Sequence, residues 1–145
     1  AYVVGEHGDS EIVLWSSATI GAVPLLDWST VHRPLLDEEA RAEIAREVVE
    51  SAYRIIEGKG ATNYAVGLAA VRIIEAVLRS ENRVLSVSTL LTDYAGISDV
   101  CLSVPTVVGG DGAGEQLLPP LTTAERAGLR ASAERIRSTL RELGM

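Results

Sequence analysis

Arg83-Val84-Leu85-Ser86-Val87-Ser88-Thr89-Leu90 alternates apolar and polar side chains, so it reads as a strand with one buried face. Upstream of it the period is helical. Val66, Ala69, Ala70, Ile73, Ile74 and Val77 recur at helical spacing and predict a helix from about Asn63 to Arg79. Its apolar side is nearly continuous, so the helix is expected to be deeply buried. Before it, Ile44, Val48, Val49, Ala52, Ile55 and Ile56 predict another helix. Asp37-Glu38-Glu39 opens that helix, where acidic residues suit the macrodipole, and Gly58 and Gly60 stop it. The charges from Glu38 to Glu50 form a solvated face.

Downstream, Val100 to Val108 reads as a second strand. Gly109-Gly110-Asp111-Gly112-Ala113-Gly114 reads as a hairpin turn, with Glu115-Gln116-Leu117-Leu118 as a short returning strand. The alternative, a phosphate loop, needs a helix opening on the glycines, and Pro119-Pro120 follows instead. A last helix starts at Thr122 or Thr123 and carries Leu129, Ala133, Ile136 and Leu140 on its apolar side. At the other end, Tyr2-Val3-Val4 is a short strand stopped by Gly5. Glu11 to Ile20 is rich in strand formers but alternates poorly and reads as one strand, and Gly21 to Pro34 is irregular. Strands, two helices, a meander and a helix define an α+β domain over residues 1–145, with antiparallel strands and three main helices. The βαβ alternation of a Rossmann domain is absent from this pattern.

The chain is 47% hydrophobic and 23% charged, ordinary for one globular domain, with a slight apolar excess. That excess fits either a surface buried against a partner or simply Ala- and Val-rich helices. The net charge of -7, without a basic patch, argues against nucleic acid as a partner. No apolar run approaches the ~18 residues of a membrane span. No signal peptide shows at the start, and the single Cys101 excludes an internal disulfide, so a cytoplasmic protein is expected. Cys101 lies in an apolar run and is expected to be a buried thiol. The chain begins as a strand arriving at a loop, which suggests a cut through a longer protein.

One segment carries chemistry: Val4-Gly5-Glu6-His7-Gly8-Asp9-Ser10. A histidine flanked by glycines at a strand end is open to close approach by other groups, and its ordinary pKa near ~6.5 suits proton exchange. The alternative is a turn histidine bonded to a carbonyl. His32, beside Arg33-Pro34, is expected to be a surface loop residue.

Gly5-Glu6-His7-Gly8-Asp9-Ser10 resembles the active-site signature of the lactate and malate dehydrogenase family. Trp15-Ser16, Ser51-Ala52-Tyr53, Lys59-Gly60-Ala61-Thr62-Asn63-Tyr64-Ala65-Val66-Gly67 and Val84-Leu85-Ser86-Val87-Ser88 follow in the family's order. The resemblance covers essentially the whole chain and implies the family's carboxyl-terminal, substrate-binding domain. It implies that His7 is the acid/base of hydride exchange between a 2-hydroxy acid and NAD. It implies that Thr62 lines the substrate pocket, with a helix N-cap as its plain structural reading. Val66 would pack on the nicotinamide ring, although on spacing alone it is a core residue. Asp9 is read as a turn residue, and Glu6 receives no chemical role.

The resemblance further implies that the nucleotide-binding half lies upstream. That half would bring the glycine fingerprint, a mobile loop with a polarising arginine, an arginine for the substrate carboxylate and the aspartate that orients the histidine. The isolated chain is therefore expected to be inactive. Lys59-Gly60-Ala61-Thr62 resembles the lactate branch and so implies (S)-lactate and pyruvate. Malate dehydrogenase is the first alternative, and a non-catalytic oligomerisation module is the second. The resemblance implies a symmetric assembly, usually a tetramer and sometimes a dimer, and a homotetramer is the assembly expected here.

Overall fold

The computed structural model describes residues 1–144. Strands β1 (Tyr2–Val4) and β2 (Ile12–Leu14) form an antiparallel pair, and β3 (Thr19–Ile20) pairs with β4 (Val23–Pro24). A single 3-10 turn, Leu25–Asp27, leads toward the first long helix. Helices α1 (Glu38–Lys59) and α2 (Tyr64–Leu78) follow, then β5 (Arg83–Leu90), β6 (Cys101–Gly109), β7 (Gly112–Gln116) and α3 (Thr123–Glu142). The last three strands make one antiparallel sheet in the order β5-β6-β7.

The alternating segment pairs along its full length, from Arg83 with Val108 to Leu90 with Cys101. The glycine cluster makes the expected hairpin. Gly109 pairs with Gly112 across Gly110-Asp111, and Gly112 takes a φ of 92°, open to glycine without a Cβ penalty. The returning strand starts inside the glycines, at Gly112 rather than at Glu115. The Glu11–Ile20 segment is two strands instead of one. A turn at Trp15, with the Ala18 N–H on the Trp15 carbonyl at 3.1 Å, separates β2 from β3.

Helix caps follow the chemistry of their residues. Asp37 caps α1 by accepting from the Ala40 N–H at 2.8 Å, and Gly60 ends α1 in the left-handed region at φ 83°. Thr122 and Glu125 form a reciprocal capping box at the start of α3.

The core lies where β1, β2, β6 and α3 meet. Val4, Leu14, Leu102, Val104, Leu129 and Ala133 are all buried there. The loop between β5 and β6 closes it with Leu91, Tyr94, Ile97 and Val100. Each fully buried aliphatic side chain contributes about 1.5–3 kcal/mol. Tyr94 donates its hydroxyl to the Leu117 carbonyl at 2.8 Å, and burial pushes its pKa up to about 12.

Two expectations are overturned. Helix α2 is not deeply buried: Ala76 is its one buried residue, while Leu68, Val71, Ile74 and Leu78 are exposed. Its apolar stripe is real, but within this chain its contacts are chiefly with β6, which covers only its last turns. Cys101 is exposed rather than buried. It opens β6, and the alternation of the strand places Leu102 in the core and the neighbouring thiol on the opposite face. Helix α1 buries no residue, and its Arg46 and Arg54 ion pairs with Glu43 and Glu50 are solvated, as the sequence suggested.

Candidate active site

The Gly5–Glu11 loop joins β1 to β2 and is fixed at its base from two sides. Gly5 exchanges both backbone hydrogen bonds with Ser103 of β6, at 2.8 and 2.9 Å. One residue later, the Glu6 N–H donates to Ser132 Oγ of α3 at 2.6 Å. Gly5 sits at φ 102°, and a Cβ there would lie 2.6 Å from Ser132 Oγ. Glycine is therefore required twice over, for its backbone conformation and for the close approach of α3. The tip of the loop turns on itself through Gly8 N–H to the Glu6 carbonyl at 3.1 Å and Glu11 N–H to the Gly8 carbonyl at 3.2 Å.

His7 is carried at this tip with its side chain 97% exposed. The Glu11 carboxylate lies 3.9 Å from His7 Nδ1, too far for a hydrogen bond but close enough to feel its charge. Burial pushes the Glu11 carboxyl up, an imidazolium at His7 pulls it down, and Glu6 raises it further, so its pKa is raised overall. Asp9 is more than a turn residue, because it accepts from the Tyr53 hydroxyl of α1 at 2.6 Å. Glu6 accepts from the Ser10 hydroxyl.

Beside the loop lies an open cavity of about 460 Å³. Its walls are the His7 loop and the Val48–Tyr53 stretch of α1, and Ser86 and Ser103 of the sheet complete its lining. A histidine at the rim of such a cavity can give or take a proton from a molecule seated in it. No group of three or more His, Cys, Asp or Glu side chains suited to a metal ion occurs among the described residues.

The other two candidate residues stand elsewhere. Thr62 lines a second, largely apolar cavity of about 430 Å³ with Ile55, Lys59, Tyr64 and Ala65. The two cavities lie along successive stretches of α1 and are separate in this chain. Thr62 does not cap α2. Asn63 occupies that position without a side-chain bond, and its side chain instead accepts from Lys59 Nζ at 3.2 Å. Lys59 also stands 4.2 Å above the Tyr64 ring, which firms the turn between the helices. Val66 is 60% exposed in the first turn of α2, so it is not a core residue, and it lines neither cavity. His32 is an exposed loop residue, as expected.

Two contributors escape a reading of the sequence alone. Glu11 sits four residues from His7, a spacing that offered a signal beside the more conspicuous Asp9 and Glu6. Ser132 lies 126 positions from Glu6, and no local pattern announces it. A third tie secures β2: Glu125 accepts from the Ser16 N–H at 3.0 Å and from the Ser16 hydroxyl at 2.6 Å.

A glycine-flanked histidine on a doubly anchored loop, inside an α+β domain of this topology, defines a class. Residues 1–143 match the lactate/malate dehydrogenase alpha/beta C-terminal domain, and the chain belongs to that family. Among its relatives, the L-lactate dehydrogenase of Bifidobacterium animalis subsp. lactis is 53% identical over 99% of this chain and 45% of its own length. That of Thermoanaerobacter pseudethanolicus is 46% identical over 98% of this chain and 46% of its own length. A crystal structure of a lactate dehydrogenase from a Medee basin deep-sea metagenome library superposes with a TM-score of 0.90 at 35% identity, covering 99% of this chain and 46% of that one. The minor L-lactate dehydrogenase of Enterococcus mundtii gives 0.86 at 32% identity, over 97% and 45% of the two chains. The chain thus spans somewhat less than half the length of these relatives.

Proposed function

We propose that this chain is the substrate-binding, carboxyl-terminal half of an NAD-dependent L-lactate dehydrogenase, interconverting (S)-lactate and pyruvate with His7 as proton donor and acceptor. The observation that carries the reading is the presentation of His7. Its imidazole stands free at the rim of a cavity, while its backbone is anchored at Gly5 and Glu6. With Nδ1 turned toward Glu11, Nε2 is the nitrogen left to meet substrate. In lactate oxidation His7 Nε2 takes the hydroxyl proton as the carbon–hydrogen bond breaks, and in pyruvate reduction it returns that proton to the new alkoxide.

NAD supplies the hydride chemistry when bound. Val66 offers an exposed apolar side chain at the head of α2, a fit for one face of an aromatic ring. The Gly109–Gly114 cluster is a hairpin between β6 and β7, without the helix that opens on a phosphate loop. The groups that grip the dinucleotide belong to an upstream half, in keeping with the 45% coverage of the relatives. The exposed apolar stripe of α2 is the natural seat for further protein, whether that half or a neighbouring subunit of a homotetramer. No helix among the described residues is long and apolar enough to cross a membrane. The likeness to L-lactate dehydrogenases is what supports a cytoplasmic assignment. Thr62, beside the α1–α2 turn, is assigned to the substrate pocket that forms when the upstream half is present.

The test is NADH oxidation by the full-length polypeptide, with pyruvate and oxaloacetate offered in parallel. Preference for pyruvate supports the lactate reading. Preference for oxaloacetate moves the enzyme to the malate branch. Absence of turnover with either, in a folded and assembled protein, favours the non-catalytic module.

A further inference from the structure

The side chain of His7 is almost wholly exposed and has no hydrogen-bonding partner among the described residues, so its position depends on the backbone beneath it. That backbone is held by a residue from the far end of the sequence. Ser132, in the middle of α3, is 0% exposed. Its Oγ accepts the Glu6 N–H at 2.6 Å, one peptide before His7. The same oxygen fills the space that a side chain at Gly5 would need. The Ser10 and Ser132 hydroxyls lie 3.2 Å apart, and Ser10 in turn holds the Glu6 carboxylate. Ser132 therefore touches both ends of the loop.

We infer that Ser132 is the positioning residue for His7, setting the height and direction at which the imidazole is presented. The inference rests on the proton role proposed above. A part-buried N–H that loses its acceptor seeks another partner, and the Gly5–Glu6 peptide, next to the one that carries His7, has to rotate to find one. A displacement of a reacting group by about 1 Å costs on the order of a hundredfold in rate. The fold itself would survive the loss of one hydroxyl, because Leu129 and Ala133 hold α3 in the core on either side.

The experiment is a double-mutant cycle in the full-length polypeptide, using Ser132→Ala and His7→Ala singly and together, with pyruvate reduction as the readout. With His7 present, Ser132→Ala is expected to lower kcat about ten- to a hundredfold, while NADH affinity measured by fluorescence stays unchanged. With His7 already replaced, adding Ser132→Ala should change turnover less than about twofold, since no imidazole remains to misplace. An equal loss in both backgrounds is what a merely structural serine would give, and it would overturn the inference. So would full activity in Ser132→Ala. If Ser132→Ala fails to fold, Ser10→Ala replaces it. A several-fold loss is then expected only in the presence of His7, and an equal or absent effect in both backgrounds would count against the inference. Turnover that survives His7→Ala alone is a separate result: it removes the proton role itself and with it any task for Ser132.

Discussion

The Tyr53 hydroxyl donates to Asp9 Oδ1 at 2.6 Å and so ties the long first helix to the loop that carries His7. Without this bond α1 has few polar connections to the rest of the domain, and one wall of the cavity beside His7 would be set only by apolar contact. The bond also raises the Tyr53 pKa, chiefly because the phenol donates to a carboxylate that its own ionisation would repel.

Tyr53→Phe removes this tie and little else. Because the pair is exposed, stability should change hardly at all. The expected effect is a several-fold rise in KM for the 2-oxo acid, with a smaller change in kcat, as the cavity wall loosens. Steady-state kinetics on the full-length polypeptide, beside a thermal melt, would check both halves of this expectation.

Gly5→Ala should be far more damaging. The added Cβ meets Ser132 Oγ at 2.6 Å, and the residue must hold φ 102°, which alanine adopts only under strain. Left-handed strain alone costs about 1–3 kcal/mol, and the overlap adds to it. A lower Tm and loss of activity are expected together; a variant as stable as the parent would mean that the loop is held differently.

Glu125 links stability to pH. Burial opposes its charge, but the hydrogen bonds from Ser16 and Thr122 outweigh that penalty and hold its carboxyl below the usual carboxylate range. A depressed folded pKa stabilises the fold at pH values above the unfolded value, and that stability is lost as pH falls through the folded pKa. Glu125→Gln should therefore lower Tm at neutral pH and flatten the decline of Tm between about pH 5 and 3. Glu125→Ala, which also breaks the capping box and the Ser16 tie, is expected to cost about 2–3 kcal/mol in denaturant titration.

Leu129→Ala tests the core at the point where α3 meets the strands. Leu129 is 1% exposed, and truncation leaves a cavity in the core cluster that also holds Leu14 and Leu102, at a cost of about 2–5 kcal/mol. The midpoint of urea unfolding should fall accordingly, with the slope unchanged.

Much of the fold was legible because local pattern and tertiary role agree. The alternation from Arg83 to Leu90, the glycine hairpin and the caps at Asp37, Gly60 and Thr122 each follow from short-range chemistry. The break between β2 and β3 was not legible. Ser16 is held by Glu125, 109 residues away, and the poor alternation around Ser16-Ser17 does not by itself place a turn there. Helix α2 misled for the opposite reason: its apolar stripe shows that a surface wants cover, but not whether the same chain supplies it. Cys101 departs from the buried thiol its apolar run predicts because a strand end inside such a run can still face outward. At the site, the signature exposed His7, while Ser132 and Tyr53 act through contacts that only the folded chain creates.

The proton role of His7 is tested most directly by NADH-dependent pyruvate reduction in the full-length polypeptide, with and without His7→Ala. The expected result is a fall in turnover of about a hundred- to ten-thousandfold, with NADH affinity and Tm unchanged. Unaltered turnover in a folded His7→Ala variant would contradict the assignment.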